Sequence, residues 1–87
     1  NFTSAELVIG SNPMSAGSAV TFNLPSTGHA DLSIIDMTGR RVETLFSGEA
    51  QQGFNSVEFG DELSSGTYFV VLRHGNSVET ERVSVLR

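Results

Sequence analysis

The chain has 87 residues, with ten acidic and five basic side chains, a net charge of −5 and no cysteine. That length holds one small domain and not two. No disulfide or thiolate metal site can brace it, and an acidic chain without clustered cations is a poor match for nucleic acid or an anionic membrane surface. All five cations are arginine, at Arg40, Arg41, Arg73, Arg82 and Arg87. A domain of this size buries only about 60% of its unfolded surface, so its stability should be modest. No apolar run approaches the roughly 20 residues that span a bilayer. The opening residues have neither a charged n-region nor an apolar h-region, which reads as a segment cut from a longer protein.

Residues 1–5 read as a linker from an upstream domain, and residues 6–87 as a single folded unit. Asn1-Phe2-Thr3 fits a glycosylation sequon, a motif common by chance. A short first strand is expected over residues 6–10. Asn12-Pro13 ends it, because Pro13 has no N–H for a ladder and restricts the residue before it. Val20, Phe22 and Leu24 alternate with Thr21 and Asn23, the period of a half-buried strand. After a turn over residues 25–28, Ala30, Leu32 and Ile34 share one face, with Asp31 and Ser33 on the other.

Asp36-Met37-Thr38-Gly39 carries the chemistry of a β-turn, with Asp at its first position and Gly at its last. A partner strand follows over residues 42–46. A polar loop is expected over 47–53, then a strand in which Val57 and Phe59 point inward. The longest turn region is placed at 60–66. Residues 68–72 are apolar on both faces, as in a strand central to its sheet. Arg73-His74-Gly75-Asn76 reads as a hairpin connection. The last strand covers 78–86, with Val83 and Val85 facing the core. Gly48, Gly53, Gly60, Gly66 and Gly75 are all assigned to turns. About seven short antiparallel strands with no helical period indicate an all-β fold, an immunoglobulin-like β-sandwich.

Catalytic material is sparse. His29 at a strand edge and His74 in the expected hairpin turn read as solvent-exposed, with no Cys or second His at ligand spacing. No serine lies in a nucleophile elbow, and no glycine loop opens a helix. Asp36, Asp61 and Glu62 lack the repeated D-x-D pattern that would gather the roughly 6 to 8 oxygens calcium needs. No metal, cofactor or catalytic residue is therefore expected. Carbohydrate binding usually displays a row of exposed Trp or Tyr. This chain has no Trp and one Tyr, and the parity of Phe54 and Phe69 leaves one of them exposed.

Four segments, in order, resemble a known family. They are Asn12-Pro13, Val20-Thr21-Phe22-Asn23-Leu24-Pro25, the run from Ile34-Ile35-Asp36 through Gly39-Arg40-Arg41-Val42, and Ser65-Gly66-Thr67-Tyr68-Phe69-Val70. Together they are similar to the C-terminal sorting domain of proteins exported by the type IX (Por) secretion system of certain Gram-negative bacteria. Ile35 stands where that family usually has an aromatic, and Arg82 where it commonly has lysine.

The resemblance implies a sorting signal for a larger, covalently linked cargo. It would be read by the outer-membrane export machinery while in the periplasm and then delivered to the cell surface or released. A surface peptidase of that machinery can remove such a domain and join the cargo to a glycolipid. Within the resemblance, Arg40, Arg41, Arg82, Val83 and Val85 are candidate partner-binding residues. Asn12, Pro13, Asp36, Gly39, Gly66 and Tyr68 are the residues expected to secure the turns. Exposed strand edges leave pairing of two copies open. The competing reading is a non-catalytic immunoglobulin-like accessory or adhesion module, with carbohydrate binding as one form of it. The flagellar hook-capping protein carries a similar sandwich.

Overall fold

A computed structural model describes residues 5–9, 19–58, 64–75 and 77–86. Seven strands follow in chain order: β1 (Glu6–Ile9), β2 (Ala19–Leu24), β3 (Gly28–Asp36), β4 (Arg41–Ala50), β5 (Gly53–Glu58), β6 (Gly66–His74) and β7 (Ser77–Val85). They form two antiparallel sheets, β1-β2-β5 and β4-β3-β6-β7. The pairs β3-β4 and β6-β7 are neighbours in sequence and in space, whereas β2 to β3, β4 to β5 and β5 to β6 cross between sheets. In the constant-type immunoglobulin sandwich the fourth strand joins the first sheet. Here it pairs with β3 instead.

The core sits between the sheets and follows the alternation of the sequence. Val20, Phe22 and Leu24 from β2 meet Ala30, Leu32 and Ile34 from β3 and Val70 and Leu72 from β6, all fully buried. The Phe22 and Phe46 rings lie 5.8 Å apart at a tilt of 48°, a favourable aromatic arrangement. Two register shifts interrupt the β3–β4 ladder, between Leu32 and Ser33 and between Ile34 and Ile35. Leu45 and Val42 are the residues left without an opposite partner. A bulge admits one extra residue and re-aims its neighbours, which lets consecutive Leu45 and Phe46 both pack on the core.

The structure corrects several expectations. Residues 47–50 are strand, not loop, because β4 keeps pairing β3 out to Gly28↔Ala50. Gly48 therefore lies within β4 and not in a turn. The turn at residue 28 is likewise already strand. Arg73 and His74 extend β6 instead of forming a turn, and Gly75, which follows, takes φ 58°; Asn76 lies outside the described residues. His74 is not an exposed turn residue but 8% exposed. It shares the inward parity of Val70 and Leu72 and donates from Nδ1 to the His29 carbonyl at 3.0 Å. Ala5, assigned to the linker, belongs to the core. Asn23 is buried despite its polar-face parity, with no donor on Oδ1. Phe59, the rest of the turn region 60–63, and Asn12-Pro13 lie outside the described residues.

Candidate recognition surface

The turn after β3 is built around one carboxylate. Asp36 Oδ1 accepts from the Thr38 hydroxyl at 2.6 Å, the Thr38 N–H at 2.9 Å and the Arg40 N–H at 3.0 Å. Two backbone bonds close the loop, Gly39 N–H to the Asp36 carbonyl at 3.0 Å and Asp36 N–H to the Arg40 carbonyl at 2.9 Å. Gly39 takes φ 90°, a conformation costly for any residue with a Cβ. The Thr38 hydroxyl first, then the Arg40 amide, holds the Asp36 carboxyl below the ordinary aspartate range. This turn fixes the direction in which Met37, Arg40 and Arg41 leave the sandwich, all three exposed.

A second fixture sits at the start of β6. The half-buried Tyr68 ring packs against the core, and its hydroxyl donates to the Ser64 carbonyl at 2.9 Å. An immunoglobulin sandwich places a tyrosine corner at the same point, with the hydroxyl bonded to backbone a few residues upstream. Asp36 and Gly39 shape the turn after β3, and Tyr68 ties the start of β6 to Ser64. Gly66 does not behave as a turn glycine. It is the first residue of β6, its φ is not positive, and a Cβ there would meet Tyr68 Cε2 at an ordinary 3.8 Å.

The candidate contact residues separate by face. Val83 and Val85 are 1% and 5% exposed. Their side chains seat β7 on the core and are not available to a partner, so at these positions only the backbone can be offered. β7 is an edge of the four-stranded sheet, and among the described residues no strand pairs with its outer side. Every second N–H and C=O of such an edge points away from the sheet.

Arg41 and Arg82 fall at the two ends of one row across the larger sheet, which their spacing in the chain does not suggest. Arg41 stands opposite Ile35, Ile35 opposite Phe69, and Phe69 opposite Arg82. Directly paired residues share a face, so these four form one row across the outer side of the larger sheet. Arg40 stays in the turn.

At the far end of the same face, Asp31 accepts from the Ser47 hydroxyl at 2.6 Å and contacts His29 Nε2 at 3.2 Å. The Ser47 bond, then His29, holds its carboxyl below the usual range. Among the described residues no carboxylate is in contact with the Arg41 or Arg82 guanidinium, and the Arg41 charge adds only a weak through-space pull on Asp31.

Among the described residues no group of three or more His, Asp or Glu side chains could hold a metal. Asp61 and Glu62 are outside them. Phe54 is exposed at 73% on the outer face of the smaller sheet, with no second large aromatic exposed beside it among those residues. Among the described residues no helix is long and apolar enough to cross a membrane.

A family model described as secretion system C-terminal sorting domain matches residues 12–86. No curated protein and no solved structure matches the chain. The chain therefore belongs to the C-terminal sorting domains of type IX secretion, non-catalytic signals that send a linked upstream cargo through the secretion machinery to the cell surface or the medium.

Proposed function

We propose that the export machinery reads this domain as a folded object in the periplasm, through the edge of β7 and the turn that carries Arg40 and Arg41. On this reading residues 1–4 join the domain to its cargo, and the domain contributes an address but no chemistry of its own. The observation that carries the reading is the outer edge of β7, which no strand pairs among the described residues, with Val83 and Val85 seated in the core. An edge of this kind accepts an extended segment by strand addition, in which main-chain bonds give affinity and side chains give selectivity.

Glu79, Glu81 and Arg82 lie in the middle of β7. Charges on an edge strand suppress indiscriminate pairing, so a partner must complement them. A pairing of two copies symmetric about Thr80 would set Glu79 against Glu81, and like charges directly opposite are unfavourable. Receptor binding is therefore favoured over a homodimer.

The test is export of a fluorescent reporter fused to residues 1–87, compared with a fusion ending at Asn76 and with Arg82→Ala. Loss of export on truncation, with reduced export of a folded Arg82→Ala, supports the reading. Export of the truncated fusion at the full level would refute it.

A further inference from the structure

We propose that the outer face of the four-stranded sheet, at the end next to the Asp36 turn, is a docking surface for an acidic protein segment of defined spacing. It is a contact separate from the β7 edge, and it rests on the sorting reading for the identity of the partner as a component of the export machinery. The surface is the row Arg41, Ile35, Phe69, Arg82. Ile35 and Phe69 are half-buried at its centre, and exposed arginines stand at both ends.

Charge is distributed unevenly over this face. The chain as a whole carries −5, yet the carboxylates of this face, Asp31 and Glu49, belong to the opposite end, where they pair across the ladder with Arg73 and His29. Among the described residues neither the Arg41 nor the Arg82 guanidinium is in contact with a carboxylate; Arg41 acts on Asp31 only through space, as the weakest of the influences on that carboxyl. Two guanidiniums with no carboxylate in contact, flanking an apolar strip on an acidic protein, complement carboxylates flanking an apolar side chain.

The spacing sets the partner's sequence. Arg41 and Arg82 are three strands apart, about 14 Å at the usual separation of about 4.8 Å. An extended chain advances about 3.4 Å per residue and shows every second side chain on one face. Carboxylates at positions i and i+4 then meet the two arginines, and the residue at i+2 lies over Ile35 and Phe69. The fitting segment is acidic, any, apolar, any, acidic, lying across the strands. Guanidinium favours this use because its planar fork matches a carboxylate with two parallel bonds.

The test is an NMR titration of the isotope-labelled 87-residue chain. The probe is a nine-residue peptide centred on Glu-Thr-Val-Thr-Glu, with controls bearing Lys for Glu or acids three residues apart. The expected result is a set of shift changes centred on Ile35, Arg41, Phe69 and Arg82. Binding should weaken about tenfold in Arg41→Glu/Arg82→Glu, from two lost pairs and two new repulsions, and should be absent with the Lys peptide. No shifts at millimolar peptide would overturn the surface. So would shifts confined to the β7 edge, indifference to acid spacing, or equal shifts with a sulfated dextran, which would mark a general polyanion site.

Export of the same double variant separates this surface from the sorting reading. A folded double variant exported like the wild type overturns the surface and leaves sorting intact. A wild-type fusion that is not exported counts against sorting, and the titration then decides the surface alone.

Discussion

Replacing Tyr68 by Phe removes one hydroxyl and keeps the ring, so it isolates the bond that anchors the chain entering β6. In the folded domain that hydroxyl donates to the Ser64 carbonyl at 2.9 Å. Ser64 is exposed, so the carbonyl can take water in the variant and the full penalty of a buried orphan does not apply. What is lost is the net worth of one bond, about 1 kcal/mol. For a domain of this size that lowers Tm by about 4–8 °C.

Tyr68→Ala also removes packing against the core. Full truncation of a buried aromatic costs about 3–5 kcal/mol; the half-exposed ring should give about 2–4 kcal/mol on the same basis. The assay is thermal and urea unfolding followed by circular dichroism, with the m-value checked for two-state behaviour. Tyr68→Phe with an unchanged midpoint, or as damaging as Tyr68→Ala, would refute the corner as a bonded fixture.

Four further outcomes follow from the same geometry. Gly39→Ala should cost about 1–2 kcal/mol from its positive φ alone, since a Cβ there meets nothing within 4 Å. Gly66→Ala, with no such strain, should be neutral or stabilising by up to about 1 kcal/mol, and chemical denaturation of the two compares them directly. The Asp36 and Asp31 carboxyls titrate lower folded than unfolded. Their stabilisation is therefore complete above about pH 4, the unfolded aspartate value, and is lost as pH falls through the lower folded values. Asp36→Asn should flatten the acid limb of stability against pH, and an unchanged limb would contradict the bonding at Oδ1. Leu32→Ala, fully buried, should cost about 2–5 kcal/mol against a total of about 4–13 kcal/mol expected for a chain of this length, read from its urea midpoint.

The core was legible because period-2 alternation has one physical cause. Val20, Phe22, Leu24, Leu32 and Ile34 all face inward as their spacing predicts. The Asp36 turn was legible for a similar reason, since Asp and Gly at those positions serve a local backbone need. Misreadings arose where tertiary pairing overrode local composition. Residues 47–50 look like loop, yet the ladder opposite β3 holds them extended. His74 looks like turn chemistry, but one more step along β6 carries it inward to the His29 carbonyl.

The alignment of Arg41 and Arg82 on one row depends on strand order and two bulges, neither written in any local segment. Once β3 is known to pair with both β4 and β6, register arithmetic alone would place Ile35 and Phe69 between them. Val83 and Val85 show the converse: their inward parity was readable, and it leaves only their backbone to offer a partner.

If the machinery reads the folded domain, this sandwich should serve by itself as an export address for any linked cargo. The most direct measurement fuses residues 1–87 to the C-terminus of a periplasmic fluorescent protein and follows it in paired strains with and without the type IX machinery. Fluorescence is expected at the cell surface or in the medium only when the machinery is present. A folded fusion retained in the periplasm of both strains, or released equally from both, would contradict it.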